Sequence, residues 1–152
     1  MMLTLHPHVR VKLDKGAYMP ERAHETDAGA DIATPVDVMI WPHSSVIIKT
    51  GVHVELPPNT RGDIVAKSGL NLNHDVLSFG LIDEGYSGEI CIKLYNLGEQ
   101  YVRLDKGTKV SQLVISHVCY ATFEEVDEIR SGERGEDGFG STGDKISGGP
   151  RL

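Results

Sequence analysis

GLIDEGYSGEI, Gly80 to Ile90, places a polar, glycine-bearing junction between two apolar runs. Leu81 and Ile82 read as the end of a buried strand. From Glu89 onward EICIKLYN alternates apolar and polar residues, the two-residue period of a half-buried strand. Asp83, Glu84, Gly85 and Tyr86 therefore stand at a strand-to-strand junction, where a sheet holds side chains that can still reach a ligand. An acid there can take a proton, and a tyrosine can wall off a sugar or an aromatic ring. On this stretch alone the commoner explanation is an ordinary polar hairpin turn.

The same alternation recurs on both sides of the junction. VRVKL (Val9 to Leu13), VDVMI (Val36 to Ile40) and VIIKTGVHVEL (Val46 to Leu56) read as strands, the last broken at Gly51. PPNTRG (Pro57 to Gly62) is a turn. DIVAK, VLSF, YVRL and KVSQLVISHV supply further strands, and only SGLNLNHD has room for a turn or two of helix. AYMPERAHETDAGADI is too polar, and too broken by Pro20 and Gly29, for a regular element. Short strands with turns roughly every ten residues predict an all-β, jelly-roll-like barrel or sandwich. FEEVDEI (Phe123 to Ile129) reads as an edge strand or an extended arm. From Ser131 the composition changes to glycine, serine and charge. This predicts a β-barrel domain over 1–130 and a C-terminal arm over 131–152 that is mobile without a partner, because ordering it costs about 1–2 kcal/mol per residue.

The 152 residues fit one domain, and a 39% hydrophobic content supplies a modest core. The formal net charge of -7 argues against nucleic acid as a partner. A polyanionic ligand would need a local group of cations or a bound metal ion. No signal peptide and no run of membrane-spanning length is seen, so a soluble, cytoplasmic protein is expected. Cys91 and Cys119 fall in alternating apolar runs and are expected to be small core residues. The scattered histidines make a zinc site improbable.

Four further stretches carry chemistry, each with a plainer explanation beside it. AGAD (Ala28 to Asp31) is a small-residue loop ending in an acid, more often a turn than a metal site. AKSGL (Ala66 to Leu70) sets Lys67 and Ser68 before Gly69, where backbone N–H groups can hold a phosphate, although a capping serine is commoner. In KGTKVSQLVI (Lys106 to Ile115), Gln112 interrupts an apolar strand, and a hydrogen bond to a neighbouring strand would explain it. RGEDGFGSTG (Arg134 to Gly143) favours function. Its hydroxyls and glycine N–H groups suit phosphate oxygens, its arginine can make a bidentate contact, and Phe139 has no core to enter and is free to stack on a base.

In order, DAGADIA, AKSGL, GLIDEGYSGEI, GTKVSQLVI and RGEDGFGSTG resemble the five motifs of the trimeric dUTP diphosphatases, across Asp27 to Gly143. The resemblance implies a jelly-roll homotrimer with active sites shared between subunits, hydrolysing dUTP to dUMP and diphosphate with Mg2+. It implies Asp83 as the base that activates water, and Tyr86 as the residue under the deoxyribose that excludes a 2'-hydroxyl. The hairpin before Asp83, with Phe79 and Gly80, would read uracil. Ser68 and Gly69 would hold the β-phosphate, Lys67 would meet the charge of the triphosphate and Gln112 would contact the phosphate chain, while Asp31 would orient Mg2+ through its water shell. From the arm, Arg134, Gly140, Ser141 and Thr142 would bind the γ-phosphate and Phe139 would stack on uracil.

Four positions depart from the family pattern, among them Lys109, which stands where arginine is frequent. Lys67 stands where arginine usually precedes the serine, which keeps the charge and loses the planar fork. Gly85 stands where a second acid is usual, and Phe79 occupies a hairpin that often carries asparagine. A deoxycytidine nucleotide deaminase or a bifunctional enzyme of the same fold is one alternative implied by these relatives. A nucleotide-binding regulatory paralogue is another.

Overall fold

In the computed structural model the described residues are 7–139, 141–146 and 148–150. They form two units, Met1–Tyr120 and Ala121–Leu152, as far as each is described. The first unit holds all the regular structure. Its strands are β1 (Arg10–Leu13), β2 (Gly29–Ala33), β3 (Val38–Ile40), β4 (Ser44–Lys49), β5 (Val52–Glu55) and β6 (Thr60–Ala66). After a short helix α1 (Ser68–His74) come β7 (Val76–Leu77), β8 (Phe79–Ile82), β9 (Cys91–Asn96), β10 (Val102–Leu104) and β11 (Lys109–His117). All pairings are antiparallel, in the orders β2-β11-β6-β8, β4-β9-β7, β1-β5 and β10-β3. This is the expected all-β, jelly-roll-like fold. No helix among the described residues is long and apolar enough to cross a membrane.

The alternation in the sequence is the alternation of the faces. Along β6 Thr60, Gly62 and Ile64 are buried while Arg61 and Val65 are exposed; along β9 Ile92, Leu94 and Asn96 point inward. Ile32, Ile48, Val52, Ile90, Ile92 and Leu94 are almost wholly removed from water, and this apolar burial stabilises the barrel. Asn96 sits among them at no cost in unpaired groups. Its Nδ2 donates to the carbonyls of Ile40 (3.1 Å) and Gln100 (2.8 Å), and its Oδ1 accepts from the Gly98 N–H (2.9 Å).

Gly51 separates β4 from β5 with φ +68°, a conformation that L side chains rarely adopt, and a Cβ there would also meet Ala17 at 2.8 Å. VLSF proves to be two strands, because the chain changes sheet at Ser78. β7 pairs with β9 and β8 with β6, and the buried Ser78 hydroxyl meets Ser111 Oγ at 2.8 Å. Two expectations are corrected. Cys91 and Cys119 are both exposed, since Cys91 lies on the outward face of β9 and Cys119 follows the end of β11. The stretch before Ile32 holds a strand after all, because β2 borrows its partner from β11 instead of from a local hairpin. Phe123 to Ile129 forms no strand and is exposed throughout.

Candidate active site

Three of the sequence motifs meet across β2, β11 and the end of β6 in the four-stranded sheet. Asp31 on β2 faces Gln112 on β11 in register. Gln112 Nε2 donates to the Ala66 carbonyl at the end of β6 (3.1 Å), the cross-strand bond that its polar side chain requires. Gly29 makes this packing possible, since a Cβ there would come within 2.8 Å of the Gln112 side chain. Beyond Ala66, Lys67 turns back to Asp31. Its Nζ donates to Oδ1 at 2.6 Å, while Lys109 Nζ lies 3.0 Å from Oδ2 and 3.1 Å from Glu21 Oε1. Glu21 and Asp31 are also tied main chain to main chain in an isolated antiparallel bridge. The result is a chain of alternating charge, Glu21–Lys109–Asp31–Lys67.

Burial pushes the Asp31 carboxyl up, but the two lysines outweigh it and hold the acid below its ordinary range. Asp31→Ala leaves the two lysines without their shared anion. The site lies between a fully buried pair, which costs about 3–5 kcal/mol to break, and a surface pair worth up to ~1 kcal/mol. A loss of about 2 kcal/mol in unfolding free energy is therefore expected, read from urea denaturation of the ligand-free protein. An unchanged midpoint would show that the pairings do not stabilise the fold.

Lys67 is also the residue that caps α1, in extended conformation and with no side-chain capping bond. The expected capping serine is therefore corrected, because Ser68 is the first helical residue and stands exposed with Gly69 beside it.

Asp83 and Tyr86 lie elsewhere. Both follow β8 and are exposed, in a turn closed by the Tyr86 N–H donating to the Asp83 carbonyl (3.0 Å). The Tyr86 hydroxyl donates to the Glu89 carbonyl (2.9 Å), and Gly88 lies so close under the ring that a Cβ would collide with it. Glu84, beside Asp83, has partners of its own. It accepts from the Asn59 N–H (3.0 Å) and from the Tyr120 hydroxyl, and this contact with Glu84 raises the Tyr120 pKa. Phe79 stacks on Tyr95 of β9 at 5.5 Å with rings 3° from parallel, and it remains 71% exposed. Gly80 pairs in register with Ile64 and is itself exposed.

Asp83 is thus far from Lys67 in one chain. β8 pairs with β6 so that Gly62 faces Ile82. The β6 residue nearest Asp83 is then Arg61, six positions before Lys67, or roughly 20 Å at the rise of a strand.

In the second unit, Arg134 Nε donates to the Asp137 carbonyl (2.8 Å) and its Nη2 to Ser141 Oγ (3.2 Å). Phe139 and Thr142 are exposed, and Phe139 has φ +39°. Gly140 lies outside the described residues. Reading the sequence missed Glu21 and Gly88, and placed Glu84 at the junction without its partners Asn59 and Tyr120. None carries a local signature, since each matters through a residue distant in sequence or through space that a neighbour needs.

The family model for dUTPase matches residues 15–143. The chain belongs to the dUTPase family. Among curated relatives, the deoxyuridine 5'-triphosphate nucleotidohydrolase of Clostridium kluyveri is 44% identical over 135 residues, covering 87% of this chain and 94% of its own. That of Gloeothece citriformis is 42% identical over 135 residues, covering 87% and 93%. Among solved structures, a mutant dUTPase of Staphylococcus bacteriophage 80alpha with dUpNHpp superposes with a TM-score of 0.85 at 32% identity, covering 91% of this chain and 99% of that one. A mutant dUTPase of phage phi11 of S. aureus, described with a structural Mg(II) ion, has a TM-score of 0.74 at 27% identity, covering 80% and 98%.

Proposed function

We propose that this dUTPase-family protein hydrolyses dUTP to dUMP and diphosphate, by in-line attack of water on the α-phosphorus. What supports the reading most is the convergence of Asp31, Lys67 and Gln112, from three separate motifs, across β2, β11 and the end of β6. Phosphoryl transfer asks for positioning and charge neutralisation more than for covalent help. Asp83 accepts a proton from the attacking water as the water oxygen bonds to phosphorus. The bond from the α-phosphorus to its bridging oxygen breaks, and diphosphate leaves with the electron pair. Tyr86 packs under the deoxyribose, and Phe79 and Gly80 belong to the hairpin that reads the base. Ser68 and Gly69 hold the β-phosphate, with Lys67 and Gln112 along the phosphate chain.

Mg2+ fits the donor set as an outer-sphere ion. No group of three metal-ligating side chains occurs among the described residues, and Mg2+ commonly keeps its waters and takes phosphate oxygens. An ionised carboxylate has about four lone-pair positions, so Asp31 can hold two lysines and still accept a metal-bound water. When bound, the ion neutralises phosphate charge that Lys67 and Lys109, already matched by Asp31 and Glu21, do not.

The separation of Asp83 from Lys67 by roughly 20 Å supports a site completed by another copy of the chain. We read the assembly as a homotrimer in which one subunit lends Asp83 and Tyr86 and another lends Asp31, Lys67, Ser68, Gly69 and Gln112. The arm, as residues 131–152, then closes a site with Arg134, Phe139, Gly140, Ser141 and Thr142. A jelly-roll domain over 1–130 and a separate arm suit that division of labour.

Release of diphosphate, measured with Mg2+ across dUTP, dTTP, dCTP and UTP, is expected from dUTP alone. Ammonia from dCTP would replace this reading with a deaminase. Tight dUTP binding without turnover would replace it with a regulatory paralogue.

A further inference from the structure

Outside the motif residues, two side chains reach the junction that carries Asp83 and Tyr86: Tyr120 through Glu84, and His53 through Ser87. His53 on β5 faces Lys12 on β1 in register. Its Nε2 lies 3.1 Å from Asp14 Oδ2, and its Nδ1 lies 3.0 Å from the carbonyl oxygen of Ser87. Both partners accept and neither has a proton to give. A neutral imidazole owns one N–H, so it serves one of them and turns a lone pair toward the other; the imidazolium donates to both. The His53 side chain is 19% exposed, while Asp14 and Ser87 are exposed.

The charged surroundings favour the cation. Asp14 at the end of β1 raises the His53 pKa most, and the Ser87 carbonyl adds to it, against burial and the charge of Lys12. Lys12 itself lies 3.7 Å from Asp14. Arg10 and Glu55, two residues along the same face, pair with each other at 3.1 Å. From the junction side, the neighbouring Glu89 carboxylate is engaged by the Gly51 N–H at 2.8 Å.

We propose that His53 is a positioning residue for the dUTP site: as a cation it ties Ser87, and with it the Asp83–Tyr86 turn, to the β1–β5 pair, and its deprotonation leaves one N–H for two acceptors and so weakens the tie. The inference rests on the roles proposed above for Asp83 and Tyr86. A raised histidine pKa gives stabilisation that is complete below the unfolded value near 6.5 and is lost as pH rises through the folded midpoint. The tie is therefore strongest in mildly acidic solution and weakens on the alkaline side of 6.5.

The test follows the His53 ring protons and the amides of Gly85 to Gly88 by NMR in the full chain from pH 5.5 to 9, alongside kcat and KM for dUTP. The ring is expected to titrate above 6.5 and the amides to shift with the same midpoint. Asp14→Asn is expected to lower both midpoints together. Over the same interval kcat/KM is expected to fall about fivefold, the worth of one hydrogen bond, and His53→Gln should lose that limb because glutamine does not titrate. Amides that ignore the ring titration, or a limb retained in His53→Gln, would overturn the proposal. If dUTP is not hydrolysed but ring and amides still titrate together, the latch stands and the catalytic reading falls.

Discussion

Asp83→Asn is expected to lower dUTP turnover by about 10²–10⁴-fold, the usual contribution of a positioned general base. The fold should survive the change. Asp83 is exposed after β8, and the contact it gives the turn comes from its carbonyl to the Tyr86 N–H, which asparagine keeps. Steady-state release of diphosphate, with thermal melting as the control, reads the two effects separately. Full activity in a well-folded variant would place the base elsewhere.

The surroundings of Asp83 sharpen this expectation. Glu84, the adjacent acid, is already engaged by the Asn59 N–H and the Tyr120 hydroxyl. At Gly85 nothing lies within 4 Å of where its Cβ would be. Its φ is not positive either. Glycine at this position is therefore not imposed by space or by backbone conformation within the chain, and the proposed site works with Asp83 as the sole acid of the turn's inner positions.

Much of the barrel was legible because burial on one sheet face writes a two-residue period into the sequence. β5 and β9 follow that period closely, and Gly51 broke the long run where the backbone turns left-handed. β2 was not legible. Its strand character comes from β11, a segment some eighty residues away, and its alanines and glycine have no strand propensity of their own. The cysteines failed for a related reason. An apolar-looking residue in an alternating run can occupy either face, and Cys91 takes the outward one.

The candidate site divides in the same way. Motif order located Asp31, Lys67 and Gln112, but not the way in which they combine. That Lys109 and Lys67 share the Asp31 carboxylate, with Glu21 behind Lys109, is a property of strand register. His53 carried no signal at all, because its two acceptors come from residues 34 and 39 positions away.

Removal of the chain after Gly132 is expected to reduce turnover at least about a hundredfold, the loss typical of one charge-stabilising donor, and to leave the melting temperature and oligomeric state of the barrel unchanged. All the regular structure of the described chain lies in the unit that ends at Tyr120. The described part of the arm beyond residue 132 buries no side chain, and its polar contacts are local ones, such as Arg134 to Asp137 and Ser141. Those contacts preform a loop in which guanidinium and hydroxyl already face each other, as a γ-phosphate clamp needs. Phe139 is fully exposed at φ +39°, a conformation that gains nothing from the arm itself. Stacking on a base would recover about 1–3 kcal/mol, so Phe139→Ala should raise KM roughly 5- to 150-fold in the intact chain. Truncation removes this stack and the Arg134 donors together and should cost more than Phe139→Ala alone. An unchanged rate in the truncated protein, with the barrel still folded, would remove the arm from the reaction and leave Ser68, Gly69 and Gln112 as the only phosphate contacts beside the lysines.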